Sequence, residues 1–332
     1  LIFQIYIWFR TSKHSRLTTQ YSNCSQHCSS QHPRPPKKIR INVFNPQHDF
    51  FGRTDELDIL EREITSSTRK SRTTVVCGLG GVGKTQLVRK FIHRNQSTFV
   101  NIIWVESQQR ASMENSMRKL AKELEVATES DEFDRVVEKV FNTLSSSASL
   151  IVFDNVEDRN HIPFAFRLAT CEQKLSLIVT SRQRDWGDSV CVIPLGVFDY
   201  DDAKTFISNN LMDGLKNEEN IETLVKELQY FPLALRQATA YINYERRVRN
   251  PKFTVAHYIE CYKTNAKQLL SFDISQTDVS YTYDRTTFTT WDVTIKALER
   301  SKETGTLALR ILYVIAFFNP DQIRRDIQSN ER

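Results

Sequence analysis

Hydrophobic positions along the chain form short apolar runs that alternate with segments of helical spacing. Five runs without polar alternation are typical of buried strands: Thr73–Cys77, Phe99–Val105, Ser149–Asn155, Leu175–Arg182 and Val190–Ile193. Before the first run, apolar residues recur three and four positions apart at Leu57, Leu60 and Ile64, and the same spacing is found between runs over 111–125 and 131–144. This alternation predicts an α/β fold, a parallel sheet flanked by helices on both faces.

After Pro194 the strand pattern ends and helical spacing dominates. Helices are predicted over Tyr200–Leu211, Ile221–Gln229 and Leu233–Tyr244, with a further helical stretch over 253–270. A connection rich in Ser, Thr, Asp and Tyr is predicted around 271–290. Two more amphipathic helices are predicted after it, over Trp291–Leu298 and Thr306–Phe318. A helical domain is therefore expected behind the sheet.

The loop after the first strand carries a phosphate-binding pattern. Residues 78–85 fit G-x-x-x-x-G-K-[ST], between the strand Thr73–Cys77 and a helical segment beginning at Gln86. Its glycines let consecutive amides face one anion, and the following helix adds its positive end. Lys84 is expected to reach the β- and γ-phosphates of a nucleotide, and the Thr85 hydroxyl to ligate Mg²⁺.

Two residues at the end of the third strand bear on hydrolysis. Asp154 is expected to hold Mg²⁺ opposite Thr85, directly or through water. Asn155 stands where many hydrolytic phosphate-loop proteins have a second acid, and an amide cannot accept a proton from the attacking water. Glu157 or Asp158 could replace this second acid. The sequence leaves open whether either one lies at the required position after the strand. The expectation is slow hydrolysis at best.

Two further residues are candidates for sensing the nucleotide. Arg182 ends the fourth strand, where its charge would favour ATP over ADP; the alternative is an ordinary surface arginine. Pro232 begins a helix and could contact the base or the β-phosphate; the alternative is an ordinary first-turn proline.

Charge is unevenly distributed along the chain. The formal net charge is +5, but residues 1–48 contain seven basic residues and no acid, which leaves −2 for the remainder. Nucleic acid is therefore an unlikely partner of the body of the protein. The six cysteines form no disulfide framework, and no run reaches the ~18 apolar residues of a membrane span. A cytoplasmic location without membrane attachment is expected.

Together these motifs resemble the NB-ARC domain of STAND-type P-loop NTPases, which are signalling proteins. The resemblance covers about residues 48–320 and rests on an ordered set: Phe51-Gly52-Arg53, Gly78–Thr85, Ile151–Asn155, Ile178–Arg182 and Phe231–Ala234. Trp291-Asp292-Val293 and the run from Ala308 to Pro320 are similar to the animal and fungal branch associated with tetratricopeptide repeats.

The resemblance implies ATP or ADP with Mg²⁺ as ligands and assigns residue roles. Contacts to adenine are implied for Phe51, Gly52 and Arg53. Contacts to phosphates and Mg²⁺ are implied for Gly78, Gly80, Gly81, Gly83, Lys84 and Thr85. Asp154 would be the metal-side acid, Arg182 the γ-phosphate sensor and Pro232 the contact from the helical domain, so the catalytic candidates are Lys84, Asp154 and Arg182.

The implied mechanism is a switch in which ADP holds the domains closed and exchange for ATP opens them for self-assembly. Slow hydrolysis would reset it, and protein partners would bind through flanking domains not included in this sequence. The predicted domains are a disordered basic segment (1–47), a nucleotide-binding domain (48–196), a helical domain (197–272) and a truncated winged-helix-like region (273–332).

The sequence also departs from the family pattern, at Asn155 and at Tyr230-Phe231, where Gly-Leu is common. Two alternatives stay open. One is an AAA-type ATPase that acts on nucleic acid. The other is a degenerate scaffold that binds nucleotide or nothing.

Overall fold

The protein is built around a six-stranded parallel sheet, seen here in a computed structural model. The structure describes residues 38–46, 50–65, 73–128, 130–162, 174–188, 190–270, 279–299 and 308–311, without the side chains of 267–270 and 279–285. The strands are β1 Ile39–Ile41, β2 Thr73–Cys77, β3 Asn101–Glu106, β4 Ser149–Val156, β5 Leu175–Ser181 and β6 Cys191–Pro194. Their order is β1-β3-β4-β5-β2-β6, and every pair is parallel. The predicted α/β fold is confirmed.

Helices follow the strands and then continue alone. They are α1 Thr54–Thr65, α2 Lys84–Asn95, α3 Arg110–Glu123, α4 Phe133–Ser145, α5 Tyr200–Asn210, α6 Glu218–Glu227, α7 Pro232–Tyr244, α8 Val255–Leu270 and α9 Val279–Glu299. A 3₁₀ turn spans Arg159–His161 and a π-helical turn spans Glu245–Arg249. Within the described residues, no helix is long and apolar enough to cross a membrane.

The chain divides into two compact units. The sheet unit runs to Phe206 and also contains 230–233, whereas the described part of the helical unit comprises 207–229 and the residues from Ala234 onward. Helix α7 thus begins with sheet-unit residues. The predicted domain bounds at 196 and 272 stay predictions.

Side chains alternate between the two faces of the sheet. One face, with Ile103, Val105, Ile151 and Phe153, belongs to an apolar cluster that includes residues of α3 and α4. The other face therefore includes Trp104, over whose ring lies a guanidinium from α2. The helix after the phosphate loop is thus on the opposite face from α3 and α4.

The prediction that residues 1–47 are disordered is wrong at Ile39–Ile41. This segment is a parallel edge strand, with Ile39 opposite Asn101 on β3. The Arg40 guanidinium donates to the carbonyls of Ile39, Gln96, Phe99 and Val100 at 2.6–3.0 Å. A strand of three residues inside a polar, proline-rich stretch has no sequence pattern of its own. Its backbone pairs with the distant strand β3, and the Arg40 side chain bonds to the turn after α2.

Helix α9 begins at Val279, within the predicted connection and before the predicted start at Trp291. Threonines disfavour helices because their hydroxyls compete for backbone groups. Here Thr290 and Thr294 donate to the carbonyls of Thr287 and Thr290, inside the same helix, and Thr290 also bonds to Gln237 of α7. Most of the predicted winged-helix-like region lies outside the described residues.

Candidate nucleotide-binding site

The phosphate loop is fixed between the ends of β5 and β6. The Gly78 amide donates to the Ser181 carbonyl at 3.1 Å, and the Leu195 amide donates to the Cys77 carbonyl at 2.7 Å. A Cβ atom on Gly78 would lie 2.2 Å from the Leu195 carbonyl oxygen. Only glycine therefore fits at this position.

Helix α2 begins at the end of the loop, with its N-terminus toward the expected phosphate position. Gly83 caps it with a φ of 104°, a conformation that other residues rarely adopt. Backbone amides at a helix N-terminus and the helix dipole favour anions. Lys84 and Thr85 are the first two residues of this helix.

Lys84 folds back over the loop. Its ammonium donates to the carbonyls of Gly78 at 2.8 Å and Leu79 at 2.9 Å, and the residue is only 8% exposed. Burial and, to a smaller extent, nearby Arg182 lower the pKa of Lys84 to about 8, and Asp154 opposes the shift. A bound polyphosphate would supply the negative charge that this partly desolvated cation lacks.

Thr85 and Asp154, the two residues predicted to hold Mg²⁺, are next to each other in the structure. The Thr85 hydroxyl lies 3.0 Å from one Asp154 carboxylate oxygen and 3.4 Å from the other. Thr180, on the neighbouring strand β5, donates to the same carboxylate at 2.5 Å. This second contact fixes the orientation of the carboxylate, a role that the sequence analysis did not assign to Thr180.

The residues after Asp154 follow an irregular course. The β4–β5 register shifts between Phe153 and Val156, and Asn155 has a φ of 61°. The backbone N–H of Asn155 donates to the Thr180 hydroxyl at 2.8 Å. Glu157, one candidate substitute for the second acid, accepts a hydrogen bond from Gln108 at 3.2 Å.

Arg182 and the start of α7 both approach the phosphate loop. A Cβ atom on Gly80 would lie 3.1 Å from Nη2 of Arg182. A Cβ atom on Gly81 would lie 2.9 Å from Leu233 and 3.0 Å from the ring of Phe231. Pro232, between these two side chains, begins helix α7. Arg182 and the Pro232 segment are therefore next to adjacent glycines of the loop.

The Phe51-Gly52-Arg53 segment is tied to the chain after β6. The Arg53 guanidinium pairs with Glu56 at 3.0 Å, donates to the Gly196 carbonyl at 2.5 Å and lies 4.9 Å from the Phe198 ring centroid. Phe51 makes an edge-to-face contact with Phe206, with centroids 6.2 Å apart. These contacts give Arg53 a structural role, and its expected contact with adenine stays a prediction.

Asp202, in the first turn of α5, contacts the Phe51-Gly52-Arg53 segment and was missed by the sequence analysis. Its carboxylate fills the space beside Gly52, where a Cβ atom would lie 1.9 Å from it. Burial and Asp199 raise the pKa of Asp202, and a hydrogen bond from the Arg53 backbone opposes the shift. Gly52 and Arg53 both have a φ of 62°. Asp202 thus holds a turn that only glycine can start without strain, and nothing in its local sequence indicates this.

Arg89 is a second missed residue, one helical turn after Thr85 on α2. Its guanidinium lies 5.4 Å from the Trp104 ring centroid and 5.3 Å from that of Phe44. Burial lowers the pKa of Arg89, and Asp154 and then Glu106 oppose the shift. The four-residue spacing from Thr85 is the only sequence signal that places it on the same helix face.

The residues present fit a nucleotide with Mg²⁺. A hydroxyl and a carboxylate oxygen converge beside the loop, and Mg²⁺ in such sites takes its remaining ligands from phosphates and water. In the described part of the chain, no group of three or more His, Cys, Asp and Glu side chains forms an all-protein metal site. A site completed by phosphates is the arrangement these residues support.

The fold and this loop define a P-loop NTPase. Residues 54–214 match the NB-ARC domain family model, and the chain therefore contains an NB-ARC domain. The chain is 22% identical over 329 residues to a nucleotide-binding leucine-rich repeat (NLR)-like protein of Hyaloscypha variabilis. That alignment covers 87% of this chain and 31% of the fungal protein.

A putative disease resistance protein of Arabidopsis thaliana is 24% identical over 146 residues, 42% of this chain and 17% of that protein. The chain thus spans less than a third of these relatives. CDC6P from Pyrobaculum aerophilum is a structural neighbour, with a TM-score of 0.51, 13% identity, and 73% of this chain and 71% of that chain covered. A STAND protein with a tetratricopeptide repeat sensor from Pyrococcus horikoshii aligns with a TM-score of 0.44 and 18% identity, over 78% of this chain and 40% of that one.

Proposed function

We propose that this chain is the ADP/ATP-binding switch of a signalling protein. In this proposal, nucleotide exchange controls domain opening and self-assembly, and slow ATP hydrolysis resets the protein. The adenine nucleotide and Mg²⁺ are bound by the phosphate loop, Thr85 and Asp154. We also propose that the protein is located in the cytoplasm. A further part of the proposal is that it belongs to the branch of this family associated with tetratricopeptide repeats.

One observation carries this proposal: Arg182 and the start of α7 lie against adjacent glycines of the phosphate loop. The γ-phosphate adds charge that would attract the Arg182 guanidinium. It also adds volume beside Gly81, where Phe231 and Leu233 pack. Both effects distinguish ATP from ADP, and a ligand shifts an equilibrium only through such a difference in affinity for two states.

Helix α7 would transmit the difference between bound ATP and bound ADP to residues outside the nucleotide site. Its first residues, Pro232 and Leu233, belong to the sheet unit, and from Ala234 it belongs to the helical unit. A helix is rigid along its length because each residue is bonded to the next turn. A displacement at Leu233 would therefore be carried into residues of the helical unit.

The first experiment identifies the nucleotide in the purified chain by mass spectrometry after denaturation. We expect ADP, because exchange in a switch is slow without a signal. An empty site would contradict the switch and favour the degenerate scaffold. Salt-sensitive binding to DNA would instead favour the AAA-type alternative.

A second experiment follows hydrogen exchange of residues 230–244 with ADP and with a non-hydrolysable ATP analogue. We expect protection to differ between the two nucleotides, and to be the same for both in Lys84→Ala. Equal protection in the unmodified chain would contradict the role of α7. Light scattering in the same two states tests self-association.

A further inference from the structure

The site lacks a proton acceptor at the position where one is expected. Asp154 is occupied by hydrogen bonds from Thr85 and Thr180, and its expected task is to hold Mg²⁺. Asn155 offers an amide, which cannot take a proton from water. If the proposed reset by hydrolysis takes place, the base comes from another element.

The register of the sheet brings a second carboxylate to this edge. Glu106, the last residue of β3, is directly opposite Asp154 on β4. Neighbouring strands are about 4.8 Å apart, and paired residues point to the same face. Glu106 is thus the acid on the strand next to the one that carries Asp154, at the carboxyl edge where ligands of parallel sheets bind.

The face on which Glu106 lies is the face of the phosphate-loop helix. Trp104 is two residues before Glu106 and hence on the same face, and it lies under the Arg89 guanidinium of α2. Val105, between them, belongs to the cluster on the opposite face with α3 and α4. Asp154 bonds to Thr85 of the same helix α2. Both carboxylates therefore face α2.

Charge and exposure suit Glu106 to this task. The Arg89 guanidinium interacts favourably with both Asp154 and Glu106, which reduces the repulsion between the two acids. Glu106 is exposed, although the five residues before it in β3 are buried. Water can therefore reach its carboxylate. Glu157, by comparison, comes after the irregular end of β4, where the register with β5 shifts.

We propose that Glu106 is the general base for ATP hydrolysis in this chain and takes the place of the acid missing at Asn155. The inference rests on the proposed function, because it needs ATP in the loop. Glu106 accepts one proton from a water molecule as the water oxygen bonds to the γ-phosphorus. The bond from that phosphorus to the β,γ-bridging oxygen breaks, and its electron pair stays on the β-phosphate, giving ADP and inorganic phosphate.

The test compares Glu106→Gln with the matched control Glu157→Gln in the full chain. Single-turnover hydrolysis and the affinities for ATP and ADP are measured separately, and the co-purified nucleotide is identified. General-base catalysis contributes about 10²–10⁴-fold, so Glu106→Gln should slow hydrolysis at least about a hundredfold. Its ATP affinity should stay within about twofold, and the co-purified nucleotide should change from ADP toward ATP. Glu157→Gln should match the unmodified chain.

A double variant separates chemistry from structure. Asn155→Asp in the Glu106→Gln background restores an acid at the usual position, and asparagine and aspartate both tolerate the φ of 61° found there. We expect hydrolysis to recover at least tenfold. If Glu106 only neutralised Arg89, Glu106→Gln would lower the melting temperature and leave the hydrolysis rate of bound ATP unchanged.

Three results would overturn the inference: an unchanged rate in Glu106→Gln, loss of hydrolysis in Glu157→Gln, or no hydrolysis in an unmodified chain that binds ATP. None of these results bears on nucleotide binding or on exchange between ADP and ATP. Absence of hydrolysis in the unmodified chain would, in addition, remove the proposed reset. Failure of the unmodified chain to bind either nucleotide would instead overturn the proposed function and the inference together.

Discussion

The Thr85 hydroxyl lies 3.0 Å from the Asp154 carboxylate, although the two residues are 69 positions apart in the sequence. Thr85 is in the first turn of α2 and Asp154 is near the end of β4. Thr180 approaches the same carboxylate from β5, the strand between β4 and the phosphate-loop strand. Three elements therefore converge on one carboxylate.

Replacement of Lys84 by alanine should weaken binding of both ADP and ATP. Lost charge-assisted contacts cost about 1.5–3 kcal/mol, on the order of ten- to a hundredfold in affinity. Isothermal titration calorimetry measures both constants. Lys119→Ala, at an exposed position of α3, is the control and should bind like the unmodified chain. Unchanged affinity in Lys84→Ala would remove the phosphate loop from the binding site.

Removal of Mg²⁺ should reveal the role of Asp154. Chelation by EDTA should lower the ATP affinity of the unmodified chain on the order of tenfold, because a contact through the metal charge is lost. Asp154→Asn should bind ATP at this lower affinity with or without EDTA. An equal response to EDTA in both proteins would place the metal elsewhere.

Loss of the Thr180 hydroxyl should weaken the metal site without touching a ligand. Substitution of a residue that orients a metal ligand typically costs about 10–100-fold in metal affinity. Thr180→Val should show this loss in a Mg²⁺ titration of ATP binding, whereas Thr180→Ser keeps the hydroxyl and should stay within a few-fold. Equal Mg²⁺ affinities in the two variants would show that the 2.5 Å contact to Asp154 does not matter.

Arg182→Gln should reduce discrimination between the two nucleotides. We expect ATP affinity to fall about tenfold or more, because a cation beside the γ-phosphate is lost, and ADP affinity to change little. The ratio of the two dissociation constants is the readout. Arg184→Gln is the control two residues away. A parallel loss for ADP and ATP in Arg182→Gln would make Arg182 a general phosphate contact and not a sensor.

Arg40→Ala tests the edge strand. Four carbonyl contacts link this guanidinium to its own strand and to the turn after α2. The side chain is largely exposed, so the expected cost is about 1 kcal/mol, or a fall of about 2–4 °C in melting temperature. Lys38→Ala, just before the strand, should leave the melting temperature unchanged. No difference between the two variants would mean that β1 adds nothing to stability.

Much of the site could be predicted because its residues carry local patterns. The phosphate loop between Thr73–Cys77 and α2 has fixed spacing, and the strand that ends in Asp154 has a continuous apolar run. Thr180 and Arg89 were missed because their importance depends on neighbours from other elements. Thr180 gains its role from Asp154 on the next strand. Arg89 gains its role from the Trp104 ring and from the carboxylates of Asp154 and Glu106.

The sequence by itself determined the five strands from β2 to β6, most of the helices and the loop that is shaped for phosphate, because periodicity and glycine spacing act between near neighbours. It did not determine the edge strand β1 or the start of α9. Only the tertiary structure decided strand order and register. That order puts β5 between β4 and β2, which brings Thr180 to Asp154 and Arg182 to Gly80. The register of β3 on β4 sets Glu106 opposite Asp154. Such pairings depend on hydrogen bonds between distant segments, which no local pattern of residues specifies.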